Sequence, residues 1–293
     1  MKVLGTEKKL VNEKDKDVDI TVGIVTFQPE LDILDKSLKS LLGQTENVII
    51  VDNNSDNLMA IKNIVKKNSK YYNICIIENK FNLGIAKALN QIMNESKKYS
   101  NWTLLLDQDT IIESGYLTEA KKSLLDIEKL SIITPRIIDR ENPNIEYDCN
   151  ENNHFVNQCI TSGSINSVQI WEEIGGFDEW MFIDGVDHEY CKRVIDANYK
   201  ILKLNSISIE HKIGESRRYR IFGFTIEVLN HSPFRKYYIV RNIIYFGKKH
   251  KLSKISVFLK ICKQFGLVFF FEKSKVAKLK KMYKGVSDGI RNR

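Results

Sequence analysis

Apolar and polar positions alternate between two periods along most of the chain, and that alternation predicts a layered fold. Residues 19–27 (DITVGIVTF) form a β-branched apolar run closed by Pro29, the pattern of a buried strand. Leu31, Leu34, Leu38, Leu41 and Leu42 then recur at helical spacing up to Gly43, a natural helix stop. Residues 47–51 read as a second strand, 56–67 as a short helix and 74–77 as a third strand. Beyond the loop at 79–84, Ala86, Leu89, Ile92 and Met93 share one helical face, and 102–106 form the next strand. A helix at 114–127, a strand at 131–134, an Asn-rich loop at 139–153 and short apolar runs around Gly163 follow. A helix near 187–197 and strand runs at 200–204 and 206–209 complete the series. Strands separated by helices predict an α/β fold whose mostly parallel sheet is covered on both faces, with ligands beyond the carboxyl ends of the strands.

That rule gives the acids a direction. The apolar run 104–106 breaks into Asp107-Gln108-Asp109-Thr110, and residues two apart on a strand point to one side. Two converging carboxylates suit Mg²⁺ or Mn²⁺, which leaves positions free for phosphate oxygens; two acids that merely end a strand and open a turn are the structural alternative. Asp52, after the strand 47–51, falls on the same edge, where it either accepts the N3–H of a uracil or thymine ring or holds an Asx turn within Asp-Asn-Asn-Ser. Gly84 in the Asn82-Leu83-Gly84 loop either admits a diphosphate or ribose to a helix N-terminus or simply starts the helix. Asp184 and Asp187 open the helix near 187–197, where the helix dipole favours acids with or without chemistry. The preceding Gly175-Gly176-Phe177-Asp178-Glu179 places a flexible turn, an aromatic ring and two acids in a loop directed at the same edge, as an acceptor site requires. His211 is either a third metal ligand or phosphate contact, or a satisfied histidine at a strand end. Arg217, Arg218 and Arg220 suit diphosphate charge or a solvated face equally.

Composition changes this picture in one respect. The 293 residues carry a net +8, but residues 231–293 hold 17 basic against two acidic side chains, a charge of +15, leaving −7 on the rest. A basic end on an acidic body predicts an anionic partner. The five cysteines (Cys75, Cys149, Cys159, Cys191, Cys262) are scattered and lack C-x-x-C spacing, which argues against a disulfide framework or structural zinc and fits a reducing cytosol. No apolar run reaches the length of a signal peptide or a membrane span.

These residues together resemble the family 2 glycosyltransferases of the GT-A fold, within them the bacterial rhamnosyltransferase-like branch. The matching pieces are residues 21–29, VDNNS at 51–55, NLGIAKALN at 82–90, LLLDQDT at 104–110, GGFDEWMFIDGVDHEYCKR at 175–193, 211–214 and YYIVRN at 237–242. They occur in order over most of residues 20–245. The resemblance implies a nucleotide-sugar donor held by Thr26, Asp52, Asn82, Gly84, Asp107, Arg217 and Arg241, with Asp52 reading the base. It implies Mg²⁺ or Mn²⁺ on Asp109 and Asp107, with His211 beside them. The general base would come from the acid pair before Tyr190-Cys191, where many members carry Glu-Asp and this chain has Val186-Asp187, so Asp187 is the candidate and Asp184 the reserve. Gly176, Phe177, Asp178 and Glu179 would face the acceptor. The expected reaction is inverting transfer of a sugar, rhamnose from dTDP-rhamnose, to a lipid-linked or polysaccharide acceptor in cell-surface polysaccharide synthesis.

The resemblance divides the chain into a lead-in at 1–18, a catalytic domain at 19–230 and a basic helical region at 231–293. In the last, Ile255, Phe258, Leu259, Cys262, Phe265, Gly266 and Phe269 keep helical spacing with lysines off the stripe; Val276, Leu279 and Tyr283 continue it. A basic amphipathic helix either lies on an anionic membrane or packs on the body with a wet basic face. The membrane alternative predicts a cytoplasmic protein held peripherally at the inner face of the cell membrane. Nucleic acid is not an expected partner, because no binding signature accompanies the charge; a homodimer is compatible with the sequence. Two rival functions share the acids. A haloacid-dehalogenase-type phosphatase would use Asp107 as nucleophile, although that motif normally lies on the first strand of its fold. A nucleotide-sugar binding module would use the same residues without turnover.

Overall fold

A computed structural model describes residues 18–124, 127–139, 152–211, 217–221 and 224–291. The first half alternates as its periodicity requires. It runs β1 (Ile20–Thr26), α1 (Leu31–Ser40), β2 (Asn47–Asp52), α2 (Leu58–Asn68), β3 (Asn73–Glu78), α3 (Ile85–Ser96) and β4 (Trp102–Asp107). Next come β5 (Ile111–Ile112), α4 (Tyr116–Leu124), β6 (Leu130–Asp139), β7 (His154–Val156), β8 (Ser164–Ser167), α5 (Val168–Glu173), α6 (Val186–Asp196) and β9 (Lys200–His211). The hairpin β10 (Arg217–Ile221) and β11 (Phe224–Val228) precedes three helices, α7 (Pro233–Lys249), α8 (Lys254–Phe271) and α9 (Lys275–Arg291). The expected Asn-rich loop at 139–153 lies largely outside the described residues.

The main sheet has the order β3-β2-β1-β4-β8-β6-β9-β5, with β7 paired to β9. Strands β3, β2, β1 and β4 are mutually parallel, and β6 and β9 are parallel to each other. Strand β8 runs antiparallel to both β4 and β6 and joins these halves. The two strand runs expected at 200–204 and 206–209 are one strand, because Asn205, Ser206 and Ile207 fall into a register shift between Leu204 opposite Pro135 and Ser208 opposite Arg136. Such an irregularity absorbs a polar break without ending the ladder.

The period of two in the strands divides the core between two faces. Val22, Ile24, Val48 and Ile50 pack with Leu34 and Leu38 of α1, Ile61 of α2 and Tyr116 and Leu117 of α4. Val25, Ile49, Val51 and Leu105 pack on the other face with Leu89, Ile92 and Met93 of α3, Trp171 of α5 and Tyr190 of α6. Each such buried side chain contributes about 1.5–3 kcal/mol. Gly23 sets the distance between layers, since a Cβ there would lie 2.1 Å from Ile92.

The C-terminal helices pack by a different rule. Helix α9 lies on α7 through Gly285 and Gly289, where a Cβ would come 2.5 Å from the Tyr237 carbonyl and 3.0 Å from that of Arg241. A buried Lys236–Glu272–Lys278 cluster, with contacts of 2.6 and 2.8 Å, ties the end of α8 to α7 and α9. Phe265 of the α8 stripe packs against α7 and α9, and the rest of the helix's apolar surface points largely away from the body. Ile255, Phe258, Leu259, Phe269 and Phe270 are all between 59% and 72% exposed. Among the described residues no helix is long and apolar enough to cross a membrane.

Candidate active site

The carboxyl ends of β1, β2 and β4 bring three sequence-predicted residues to one edge. Register places Thr26 opposite Asp52 and Val25 opposite Asp107. Asp52 is fully buried: its Oδ1 accepts from the Thr26 hydroxyl at 2.9 Å and the Ser55 hydroxyl at 2.6 Å, and its Oδ2 accepts from Ser55 N–H at 2.8 Å. The Asx-type turn weighed for Asp-Asn-Asn-Ser is therefore formed. Asp107 and Asp109 lie half-buried where β4 ends, with Gln108 between them accepting the Phe27 N–H at 2.8 Å. Ser162 anchors this corner, accepting the Asp107 N–H at 3.1 Å and bonding the Thr110 hydroxyl at 2.6 Å.

Of the two alternatives for Gly84, the structure has the plain helix start, with Gly84 as the N-cap of α3. Gly84 has φ +82°, a glycine conformation, but the space beside it holds no diphosphate path: a Cβ would meet the Phe182 ring and carbonyl at 2.6 Å. The Ile85 N–H donates to the Phe182 carbonyl at 2.7 Å, and the Asn82 side chain accepts the Gly84 N–H at 2.9 Å. Both amides at the start of α3 are thus used internally, and Asn82 and Gly84 shape the contact with the 182 loop. Asn53, not singled out in the sequence, links the two: it donates to the Gly84 carbonyl at 3.1 Å and accepts from Asn79 at 2.9 Å.

The GGFDE segment also takes a different job from the expected acceptor surface. Phe177 is buried with its ring 4.4 Å from that of Tyr190. Gly176 has a positive φ and approaches Asn90 and Trp171, and Asn90 bonds both the N–H and the carbonyl of Phe177. Asp178 caps the turn at Glu179–Met181 and accepts from Tyr245 at 2.6 Å and Lys249 at 2.5 Å, both on α7. Burial pushes its carboxyl up, but Lys249 and Tyr245 outweigh that and hold it below the usual carboxylate range. Glu179 pairs with Lys87 of α3 at 3.0 Å and accepts from Asn90 at 2.9 Å. Glu189, fully buried on α6, accepts a two-pronged Arg193 guanidinium at 2.8–3.0 Å and Lys249 at 2.8 Å. Burial raises its carboxyl and the Arg193 bond and charge more than reverse this, leaving it low. Arg193 continues to the carbonyls of Ile174 and Gly176.

Asp184 and Asp187 separate by environment. Asp184, at φ +66°, is bound to Arg235 at 2.5 Å, and its carbonyl accepts from Asn242 at 2.8 Å. Asp187 is half-buried on the first turn of α6, its Oδ1 accepting the His188 N–H at 2.8 Å. It lines a narrow cleft with Cys159, Thr161, Ser164 and Tyr190. Residues 159–162 therefore have Asp187 along one end and, through Ser162, Asp107 at the other. Arg241 lies away from the sheet edge: buried on α7, its guanidinium carbon is 3.9 Å from the Trp180 ring centre and 4.5 Å from that of Tyr238. It donates to the Trp180 and Met181 carbonyls, so it fastens the 180–182 turn, where a contact with the nucleotide-sugar donor was expected.

Among the described residues, no group of three or more His, Cys, Asp or Glu side chains is gathered as a metal cluster. The donor set at the end of β4 is two carboxylates, which fits a hard divalent cation that takes its other ligands from phosphate oxygens and water. The backbone brings His211 close, since Glu210 pairs with Ile111 two residues after Asp109; its side chain, like that of Arg217, lies outside the described part of the structure.

Residues 21–183 match Glycosyl transferase family 2. The chain belongs to that family. It is 28% identical to the dTDP-rhamnosyl transferase RfbF of Shigella flexneri over 287 residues, 92% of this chain and 94% of that one. Solved structures share the fold, two of them as follows. The Staphylococcus aureus TarS fragment 1–349 in complex with UDP-GlcNAc gives a TM-score of 0.59 at 16% identity, covering 94% of this chain and 81% of that one. The Pyrobaculum calidifontis mannosyltransferase PcManGT, in complex with GDP-Man and Mn²⁺, gives 0.56 at 11%, covering 94% and 75%.

This family 2 glycosyltransferase has the nucleotide-sugar transferase fold that the resemblance implied. Family membership removes the phosphatase alternative, and so does the placement of Asp107 at the end of the fourth strand in chain order. Sequence reasoning missed Asn53, Asn90, Glu189, Arg193 and Lys249. For Glu189 a local signal existed: an acid and an arginine four residues apart on a helix face.

Proposed function

We propose that this glycosyltransferase is inverting and metal-dependent, moving rhamnose from dTDP-rhamnose to a lipid-linked or polysaccharide acceptor in cell-surface polysaccharide synthesis. The observation that carries the mechanism is the arrangement of Asp107 and Asp109 at the carboxyl edge of the sheet, with Asp187 at the far end of segment 159–162. Similarity to the Shigella flexneri rhamnosyl transferase supports the sugar and its nucleotide. Asp52 supports the base only as a class: Oδ1 already accepts two internal bonds, Oδ2 accepts one and keeps a second acceptor position, and thymine and uracil offer the same N3–H.

Asp109 and Asp107 hold the divalent ion in this reading, and the Mn²⁺ bound to PcManGT supports its class. When bound there, Mg²⁺ or Mn²⁺ supplies Lewis-acid neutralisation of a leaving diphosphate. Ser162 and Gln108 fix the backbone that carries the two carboxylates. Asp187 takes the proton of an acceptor hydroxyl as its oxygen bonds the anomeric carbon. The bond from that carbon to the diphosphate oxygen breaks on the opposite face, the nucleoside diphosphate leaves with the electron pair, and the anomeric centre inverts. The His188 N–H on Oδ1 orients the Asp187 carboxylate for this role.

Residues 19–230 act as the catalytic domain, and the basic region 231–293 places it against the anionic inner face of the cell membrane. The outward apolar stripe of α8 and its lysines support that location. Incubation of the protein with dTDP-rhamnose, Mn²⁺ and an acceptor lipid extract tests the reading. Asp187→Asn is expected to lower transfer by roughly 10²–10⁴-fold with donor binding kept; Asp109→Asn is expected to weaken metal-dependent donor binding as well. Full activity in Asp187→Asn, or a product with retained anomeric configuration, contradicts the mechanism.

A further inference from the structure

Helices α7, α8 and α9 enclose an apolar groove of about 820 Å³, within the ~300–1,000 Å³ of pockets that take small ligands. Its walls are side chains such as Ile244, Ile261, Phe265, Val286 and Ile290, and Lys251 and Lys254 stand on its border. A second cavity of about 480 Å³ opens beside it, lined by Asp184, Gly185 and His188 at the start of α6 and by Lys260 and Gln264 of α8. Leu252 and Val257 belong to both walls, so the two spaces are neighbours. Phe258 and Cys262 of the groove also belong to the outward stripe of α8. One track therefore runs from the outward apolar face, through the groove, to the cavity at the start of the helix that carries Asp187.

We propose that this groove seats the hydrocarbon chain of a membrane-borne, phosphorylated acceptor, with its phosphate head at the lysine-bearing cavity beside Asp184. The proposal rests on the glycosyltransferase reading and names where that acceptor binds. Charge selects the occupant. A neutral glycan has no use for apolar walls, and a second copy of this chain would bring another region of charge +15 against the first. A hydrocarbon chain with an anionic head satisfies both walls and lysines, and the outward stripe gives it an entrance from a bilayer. In the expected acceptor loop at 176–179, Phe177 lies in the core and Asp178 and Glu179 pair with α7 and α3, and among the described residues no apolar groove adjoins it to take a hydrocarbon chain.

Cys262 provides the test, because it is exposed and lines the groove. The full chain is alkylated with a maleimide, and labelling at Cys262 is timed by peptide mass spectrometry. Farnesyl diphosphate at roughly ten times its half-protecting concentration is expected to slow labelling about tenfold, by simple mass action. Inorganic diphosphate is expected to leave the rate unchanged, and Val286→Trp, which fills the groove, to abolish protection. Equal rates with and without farnesyl diphosphate overturn the proposal. So does equal protection by inorganic diphosphate, or farnesyl diphosphate protection that survives in Val286→Trp, since the latter marks a surface contact and not a chain seat. Thermal shift by dTDP is measured on the same samples. Loss of that shift counts against the donor reading, while Cys262 protection reports on the groove alone.

Discussion

Asp107 and Asp109 leave the sheet where a strand ends, whereas Asp178, Glu179, Asp184 and Glu189 lie in a segment stitched to its neighbours on two sides. Both regions are acid-rich, and in sequence both read as parts of a site. The difference is in their partners. Asp178 and Glu189 each engage Lys249 of α7, and Glu179 engages Lys87 of α3, so these carboxylates join layers of the fold. Asp187, in the same segment, is half-buried in a cleft beside Cys159 and Thr161, and its Oδ1 accepts a neighbouring N–H. The contrast teaches that an acid's role here follows from which cations the fold places around it.

Four experiments break or sharpen that contrast, from the largest effect down. Asp109→Asn is expected to lower sugar transfer by about three orders of magnitude, since a metal at a developing charge is worth several kcal/mol, with little change in melting temperature. Glu189→Gln is expected to act oppositely, costing about 3–5 kcal/mol of stability, because it leaves Arg193 and Lys249 without their buried counter-charge. Denaturant unfolding measures that loss. Asp178→Asn removes an acceptor for Tyr245 and Lys249 and is expected to cost about 1.5–3 kcal/mol, with turnover per folded molecule nearly unchanged.

The fourth is pH dependence. Burial first, then Arg235, lowers His231 from its ordinary 6.5 to about 4. The fold favours the neutral ring, so this stability is complete above pH 6.5 and is lost as pH falls through about 4. Asp178 and Glu189, also held low, act in the same direction, their contribution being lost below the ordinary carboxylate range. Thermal melts between pH 8 and 4 are expected to fall with acid, and His231→Asn is expected to flatten the decline between about pH 6.5 and 4.

Much of the sheet was legible because strand identity is local. The apolar runs 19–27, 47–51 and 102–106 each became a strand within a residue or so, and the position of Asp107 and Asp109 followed. The stitching of the 175–193 segment was not, because its partners are remote: Lys249 lies 71 residues from Asp178, and Lys87 lies 92 from Glu179. Arg241 looked like a donor contact for the same reason, since the Trp180 ring and carbonyl that hold it are about sixty residues away. Gly84 was legible as a helix start, but periodicity could not say that Phe182 would fill the space beside it. The stripe on α8 was legible as a stripe, and only packing revealed that it faces outward.

Transfer and stability measured side by side in Asp187→Asn and Asp178→Asn test the division of labour most directly. The account predicts that Asp187→Asn melts close to the parent and loses roughly 10²-fold or more in transfer, while Asp178→Asn melts lower and still transfers sugar. An active, stable Asp187→Asn beside a stable, inactive Asp178→Asn would contradict it.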